Sequence, residues 1–166
     1  IRARDAAAAQ AFFRTEYTLN HAIATHRLPY TASMNGIVMG GGLGVSAHGS
    51  RRIVRPDTRV AMPETIIGFV PDVGILWHLS RAGLAGVHAA LTGSTFGAGD
   101  ALLLGLADEC DGEAPAATLD AAGWLYCYAE PDAASIVAAL EAHPDPQARA
   151  AASDLRLRSP LAVCVT

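Results

Sequence analysis

A chain of 166 residues, 51% of them hydrophobic, is long enough for one domain, 1–166, with a packed core. A formal net charge of −4, with arginines dense only at Arg51-Arg52 and Arg55, argues against a nucleic-acid partner, and no apolar run reaches the roughly 18 residues of a membrane helix. Three cysteines (Cys110, Cys127, Cys164) without CxxC or CxxH spacing fit buried thiols in a reducing compartment, not a disulfide framework. No signal peptide is visible, and the chain does not open with Met, so its natural N-terminus is expected upstream.

Alanines, then Phe12, Phe13, Glu16, Tyr17, Leu19, Asn20 and Ile23 at helical spacings, predict a helix over 1–28 that Pro29 stops. Glu16 shares a side with Phe12, Phe13 and Asn20, although spacing alone favours a solvated glutamate. A strand over 30–34 then leads through Asn35-Gly36-Ile37-Val38-Met39 to Gly40-Gly41-Gly42, and a helix is expected from Leu43 to a C-cap at Gly49. Glycines at such a turn let bare backbone approach a ligand. Amides at a helix N-terminus have no intrahelical partner, so they suit an anion or a developing oxyanion.

Two short strands, 52–54 and 59–62, flank a turn at Pro56-Asp57. Pro63 closes the second and leaves Glu64 where a strand gives way to a loop. Between Glu64 and Asp72 the chain is apolar and bent at Gly68 and Pro71. A carboxyl group in such surroundings has its pKa raised toward the range where a general acid or base works best. Asp72 reads equally as a functional acid and as the cap of a helix starting at Val73. Backbone donors close to acids point to chemistry on a carbonyl.

Helices are expected up to Thr92-Gly93, over 97–104, from Asp132 through Leu140, over 144–157, and from Ser159-Pro160 onward. Residues 111–122 read as a loop or weak helix. His21, His26, His48, His78 and His88 read as core or surface groups, and no pair has metal-ligand spacing backed by a carboxylate or cysteine, so no metal site is expected.

Asn35 to Gly42, Pro63-Glu64-Thr65-Ile66-Ile67-Gly68, Leu91-Thr92-Gly93 and Gly105-Leu106-Ala107-Asp108 together resemble the crotonase (enoyl-CoA hydratase/isomerase) superfamily. The match in order and spacing covers roughly residues 10–110 and weakens beyond. The resemblance implies an α/β fold, a crotonase-like spiral of ββα repeats that this chain would leave incomplete at both ends. It also implies a homo-oligomer, a trimer, and an acyl-CoA thioester substrate whose coenzyme A is no separate cofactor. The carbonyl would lie in an oxyanion hole to which Gly41 gives one N–H and a segment upstream of residue 1 the other.

Two departures from the hydratase pattern narrow the resemblance. Hydratases carry a second glutamate two residues after the glycine triplet, where this chain has Gly44, and Pro-Gly where it has Pro71-Asp72. Gly44, Pro63-Glu64-Thr65, Pro71-Asp72-Val73-Gly74 and Phe12-Phe13-Arg14-Thr15-Glu16-Tyr17 instead look like the 3-hydroxyisobutyryl-CoA hydrolase branch. That implies thioester hydrolysis in valine breakdown, with Glu64 as base or nucleophile, Asp72 on the substrate 3-hydroxyl, and Glu16, Gly40 and Gly41 lining the acyl end. The implied location is cytoplasmic, or the mitochondrial matrix in a eukaryote. A single-glutamate hydratase or isomerase and a non-catalytic acyl-CoA binder are the alternatives.

Overall fold

Five short strands lie in two small sheets in the computed structural model, which describes residues 5–166. Strand β1 (Thr31–Met34) alternates exposed and buried positions, as a half-buried strand should. Gly36, at φ 65°, turns the chain out of that sheet into β2 (Ile37–Met39). Helix α2 (Gly41–Ser46) follows, and β3 (Arg51–Val54) and β4 (Arg59–Ala61) repeat the step from one sheet to the other. With β5 (Glu109–Cys110) the orders are β1-β3-β5 and β2-β4, and every pairing between strands is parallel. The turn at Pro56-Asp57 therefore joins strands of different sheets and makes no hairpin. Buried Thr58 holds it, donating to the Met34 carbonyl and accepting from the Arg55 N–H.

Ahead of the sheets runs α1 (Ala6–Ala24), capped by Asp5, whose carboxylate accepts from the Ala8 N–H. It ends four residues short of the expected boundary at 28, because Pro29 disfavours helical geometry in the residue before it and the chain turns over His26. The first four residues of the expected helix lie outside the described residues. Helix α2 begins at Gly41, not Leu43, and gives way at Ala47 before Gly49. Gly49 serves packing instead of capping: a Cβ there would stand 3.0 Å from the Tyr30 carbonyl oxygen.

After β4, Pro63–Ile67 form a 3₁₀ turn where a loop was expected. The next helix, α3 (Ile75–Leu79), starts two residues later than expected, since Val73 and Gly74 are both left-handed, at φ 45° and 76°. Helix α4 (Gly83–Thr92) ends at left-handed Gly93, and α5 (Ala98–Leu103) precedes β5. Residues 111–117 carry no helix. A 3₁₀ stretch, Gly123–Ala129, which buries Trp124, Cys127 and Tyr128, was not foreseen. Helices α6 (Ala133–Ala142), α7 (Pro146–Arg156) and α8 (Pro160–Val165) carry Asp132, Asp145 and Ser159 as side-chain N-caps.

Two apolar clusters meet at α4. Leu43, Val54, Val60, Ile75 and Leu104 centre the first, under the sheets; Trp124, Cys127, Leu140, Ala148 and Leu155 form the second, among the C-terminal helices. Ala85 and Ala89 face the first cluster, and Leu91, with partly buried Leu84 and Val87, faces the second. Gly93 bears directly on the Pro63-Glu64-Thr65 turn, where a Cβ would stand 3.1 Å from the Pro63 Cα at a φ of 63°. Gly93→Ala is expected to destabilise the protein by about 1–3 kcal/mol through combined strain and contact. Urea unfolding of the two proteins side by side measures this, and an unchanged midpoint would contradict the packing argument.

Candidate active site

The 3₁₀ turn carries the Glu64 side chain inward: the residue is only 8% exposed. Its Oε1 lies 3.3 Å from the point where a Cβ on Gly40 would stand. Gly40, at φ 51°, leads into α2, so the carboxyl group sits against the bare start of that helix. The turn is buttressed from two sides, by Gly93 and by the Ser159 N–H donating to the Thr65 carbonyl at 3.0 Å.

Helix α1 brings Glu16 to the same place, its Oε1 2.8 Å from where a Gly41 Cβ would stand. Alanine at position 41 would therefore displace Glu16. Gly41, an exposed residue, takes the first position of α2, where its N–H has no intrahelical acceptor. One residue on from Glu16, the Tyr17 hydroxyl donates to Asp72 Oδ2 at 2.8 Å. Phe13, one turn earlier, stacks on Phe69 with ring centroids 5.7 Å apart, tying α1 to the loop between Glu64 and Asp72.

All the sequence-predicted site residues, Glu16, Gly40, Gly41, Glu64 and Asp72, thus fall in one region. The capping reading of Asp72 does not hold. Gly74 is the N-cap of α3, with no side-chain cap bond, and the Asp72 carboxylate is taken by Tyr17 instead. Sequence reasoning missed four contributors. Tyr17 follows Glu16 directly, and Asn20 lies one turn beyond it, so the inward face of α1 was the available signal. His48 and His78, read as core or surface groups, form a pair with Nε2 of His78 3.3 Å from Nδ1 of His48.

Burial drives the electrostatics. It pushes the Glu64 carboxyl up to about 7, and the charge of Asp72 acts the same way. The Glu64 Oε2 is buried and has no hydrogen-bond partner among the described residues, which also disfavours the ionised form. Glu16 is shifted upward too, first by burial and then by Asp72. Tyr17 rises to about 12, by burial and by its bond to Asp72, so it stays a donor at neutral pH. Among the described residues no group of three His, Cys, Asp or Glu side chains is arranged to hold a metal ion.

A cavity of about 1090 Å³ opens beside this cluster, lined by Tyr17, His48, Asp72, Trp77, His78 and Arg81 among others. Asp72 borders it, whereas Glu64, Gly40 and Gly41 are not in its lining. The carboxyl cluster thus meets the cavity only through Tyr17 and Asp72.

Residues 1–123 match the family model described as Enoyl-CoA hydratase/isomerase. The chain belongs to that family. Among enoyl-CoA hydratase/isomerase structures, a carnitinyl-CoA dehydratase from Mycobacterium thermoresistibile aligns over 98% of this chain and 56% of its own, at 42% identity and a TM-score of 0.94. An enoyl-CoA hydratase from Rhodobacter sphaeroides aligns over 99% of this chain and 56% of its own, at 36% identity and a TM-score of 0.89. The mitochondrial 3-hydroxyisobutyryl-CoA hydrolase of Xenopus tropicalis is 49% identical over 100 residues, 60% of this chain and 26% of that protein. A probable 3-hydroxyisobutyryl-CoA hydrolase of Arabidopsis thaliana is 48% identical over 97 residues, again 26% of its length. The matched segment thus spans about a quarter of these curated relatives. The resemblance seen in the motifs is borne out, and the crotonase-like α/β fold with it. Among the described residues no helix is long and apolar enough to cross a membrane.

At Gly44 this family member has no room for a side chain. A Cβ there would stand 2.8 Å from the Val73 Cβ and 2.9 Å from the Asn20 Nδ2, which donates to the Gly44 carbonyl at 2.8 Å. Glu64 is consequently the buried carboxyl group beside the glycine turn, with no second one from α2.

A buried acid shifted upward binds its proton more tightly folded than unfolded, so its ionisation lowers stability as pH rises from about 4.5 to about 7. Glu64→Gln removes that charge. The variant's melting temperature relative to wild type is expected to be higher at pH 8 than at pH 5, read by calorimetry at both values. A constant difference would mean that Glu64 is not desolvated.

Proposed function

We propose that the protein hydrolyses a short 3-hydroxyacyl-CoA thioester, 3-hydroxyisobutyryl-CoA being the substrate the reading favours, to the hydroxy acid and free CoA. The observation that carries it is the buried Glu64 carboxyl group set against the Gly40-Gly41 turn, with no space for a second acid at Gly44. Two-glutamate water addition needs that second acid. Hydrolysis needs one group that attacks or activates water, and a donor for the carbonyl oxygen.

The thioester carbonyl oxygen would face the Gly41 N–H, which stabilises the negative charge gained on attack; one such donor is typically worth about 10²–10³ in rate. Glu64 either removes a proton from the attacking water or attacks the carbonyl carbon itself, giving a mixed anhydride that water then opens. In both routes a C–O bond forms, the C–S bond breaks, and the thiolate takes up a proton to leave as free CoA. Asp72, fixed by Tyr17, would accept a hydrogen bond from the substrate 3-hydroxyl. A site built to pair a hydroxyl rejects analogues without it, because its own polar groups are then stranded. Glu16 would line the acyl end. The curated relatives named as 3-hydroxyisobutyryl-CoA hydrolases support this choice over their partial span. An assembly of several copies in the mitochondrial matrix or cytoplasm is part of the same reading.

One observation favours a second reading. Two solved structures that align over nearly the whole chain are named a dehydratase and a hydratase, so addition of water with Glu64 as the lone acid is the competitor. Crotonyl-CoA separates the two, since hydration removes the conjugated-thioester absorbance while hydrolysis of 3-hydroxyisobutyryl-CoA releases free thiol. Thiol release without loss of crotonyl absorbance is the expected result, and the reverse would replace the proposal.

Glu64→Gln is expected to reduce steady-state thiol release by at least about 10²-fold while thioester binding, followed by calorimetry, persists. Because the ionised carboxylate is the working form, kcat/KM should fall as pH drops through about 7. A profile flat from pH 6 to 8 would assign the chemistry elsewhere. Asp72→Gly should erase the preference for acyl chains bearing a 3-hydroxyl, measured as the ratio of kcat/KM with and without it.

A further inference from the structure

Behind Asp72 the backbone is held in a conformation that valine rarely adopts. Val73 has a φ of 45°, in the left-handed region that a β-branched residue avoids, and Gly74 follows at 76°. The Val73 side chain is wedged against Gly44, within 2.8 Å of where a Cβ would stand. Its carbonyl meets a different partner, the His48 Nε2, at 2.6 Å. The same ring lies 3.0 Å from the point where a Gly74 Cβ would stand.

The proton positions on that ring follow from its neighbours. Arg52 is always a donor, because its guanidinium carries no lone pair to accept with. Its Nη1 lies 3.4 Å from the His78 Nδ1, which must then be the bare nitrogen. The proton of neutral His78 is left on Nε2, 3.3 Å from the His48 Nδ1. His48 in turn carries its proton on Nε2 and donates it to the Val73 carbonyl. Arg52 itself is fixed by a two-pronged pair with Asp108, the Asp of the Gly105-Leu106-Ala107-Asp108 motif, and by a bond to the Gly105 carbonyl at 2.6 Å. Burial first, and then the charge of Arg52, lowers His78 to about 4, so this ring is neutral where the enzyme would work.

We propose that His48 is a positioning residue for Asp72: its Nε2–H holds the left-handed Val73 turn that aims the carboxylate, and Arg52, through His78, sets its tautomer. The inference rests on the reading that Asp72 binds the substrate hydroxyl, and it assigns the Asp108 motif a part in selectivity at a distance. A residue that merely supports the fold would, when replaced, lower turnover of every acyl-CoA in parallel. A residue that aims Asp72 changes the ratio between substrates.

The test compares kcat/KM for 3-hydroxyisobutyryl-CoA with that for isobutyryl-CoA, which lacks the hydroxyl, in wild type, His48→Leu and His48→Gln. Leucine removes the donor, and glutamine returns an N–H at nearly the reach of Nε2. The ratio is expected to fall about tenfold in His48→Leu and to stay within about threefold of wild type in His48→Gln. Equal losses on both substrates, or a glutamine variant no better than leucine, would overturn the proposal. Independently of turnover, long-range ¹⁵N–¹H correlation spectra of wild type at pH 7 should find both rings neutral and protonated on Nε2. A His48 protonated on Nδ1, or charged, would overturn it even if His48→Leu fails to fold. If wild type releases thiol from neither substrate, the hydrolase reading fails, and the tautomer measurement alone decides whether His48 holds the turn.

Discussion

The arrangement depends on bare backbone at Gly40-Gly41. Two carboxyl groups from distant parts of the chain, Glu64 and Glu16, approach that turn where side chains would otherwise stand. At Gly40 the positive φ favours glycine; at Gly41 a Cβ would displace the end of the Glu16 side chain. Because the approach is to main chain, the N–H of Gly41 and the acids share one small region. That juxtaposition is what chemistry at a carbonyl requires.

Crowding acids carries an electrostatic cost that the fold manages unequally. Asp72 receives the Tyr17 hydroxyl, which remains protonated far above neutral pH. Glu64 receives no such partner on Oε2, and burial plus the nearby Asp72 charge hold it near the point of half-ionisation at pH 7. Similar side chains thereby end up with different working properties, one fixed as an acceptor and one able to gain or lose a proton. The packing around them is correspondingly firm: Gly93 and Ser159 brace the Glu64 turn, and Phe13 on Phe69 anchors α1 across the loop.

Much of this was legible in the sequence because it was local. A strand, three glycines and a short helix announce an open turn; Pro63 fixes where the strand ends; Asp132, Ser159 and Gly93 mark helix boundaries through capping chemistry that acts within a few residues. What stayed hidden depends on partners far along the chain. Asp72 looked like a cap because local spacing allows one, but Tyr17, 55 residues away, outcompetes the backbone. The start of α3 slipped because Val73 is held left-handed by contacts from Gly44 and His48, which no propensity describes. Strand β5 has two residues, too few for any periodicity, and exists because β3 offers it an edge. The 3₁₀ stretch around Trp124 is set by the second apolar cluster, not by its own pattern.

The glycine at position 44 joins these points. Taken alone, it reads as a missing glutamate, a loss that one substitution would restore. In the folded chain the space beside it is taken up by the Val73 side chain and by Asn20, which hydrogen-bonds the Gly44 carbonyl. Restoring a glutamate would require moving Val73, hence the left-handed turn that carries Asp72, and moving Asn20, hence the face of α1 that carries Glu16 and Tyr17. Gly44, Asn20, Val73 and Asp72 are therefore one structural unit in which the bare position on α2 leaves room for the Val73 side chain next to Asp72. Such a unit changes as a whole, which is a physical reason for the departures at Gly44 and at Pro71-Asp72 to stand in the same chain.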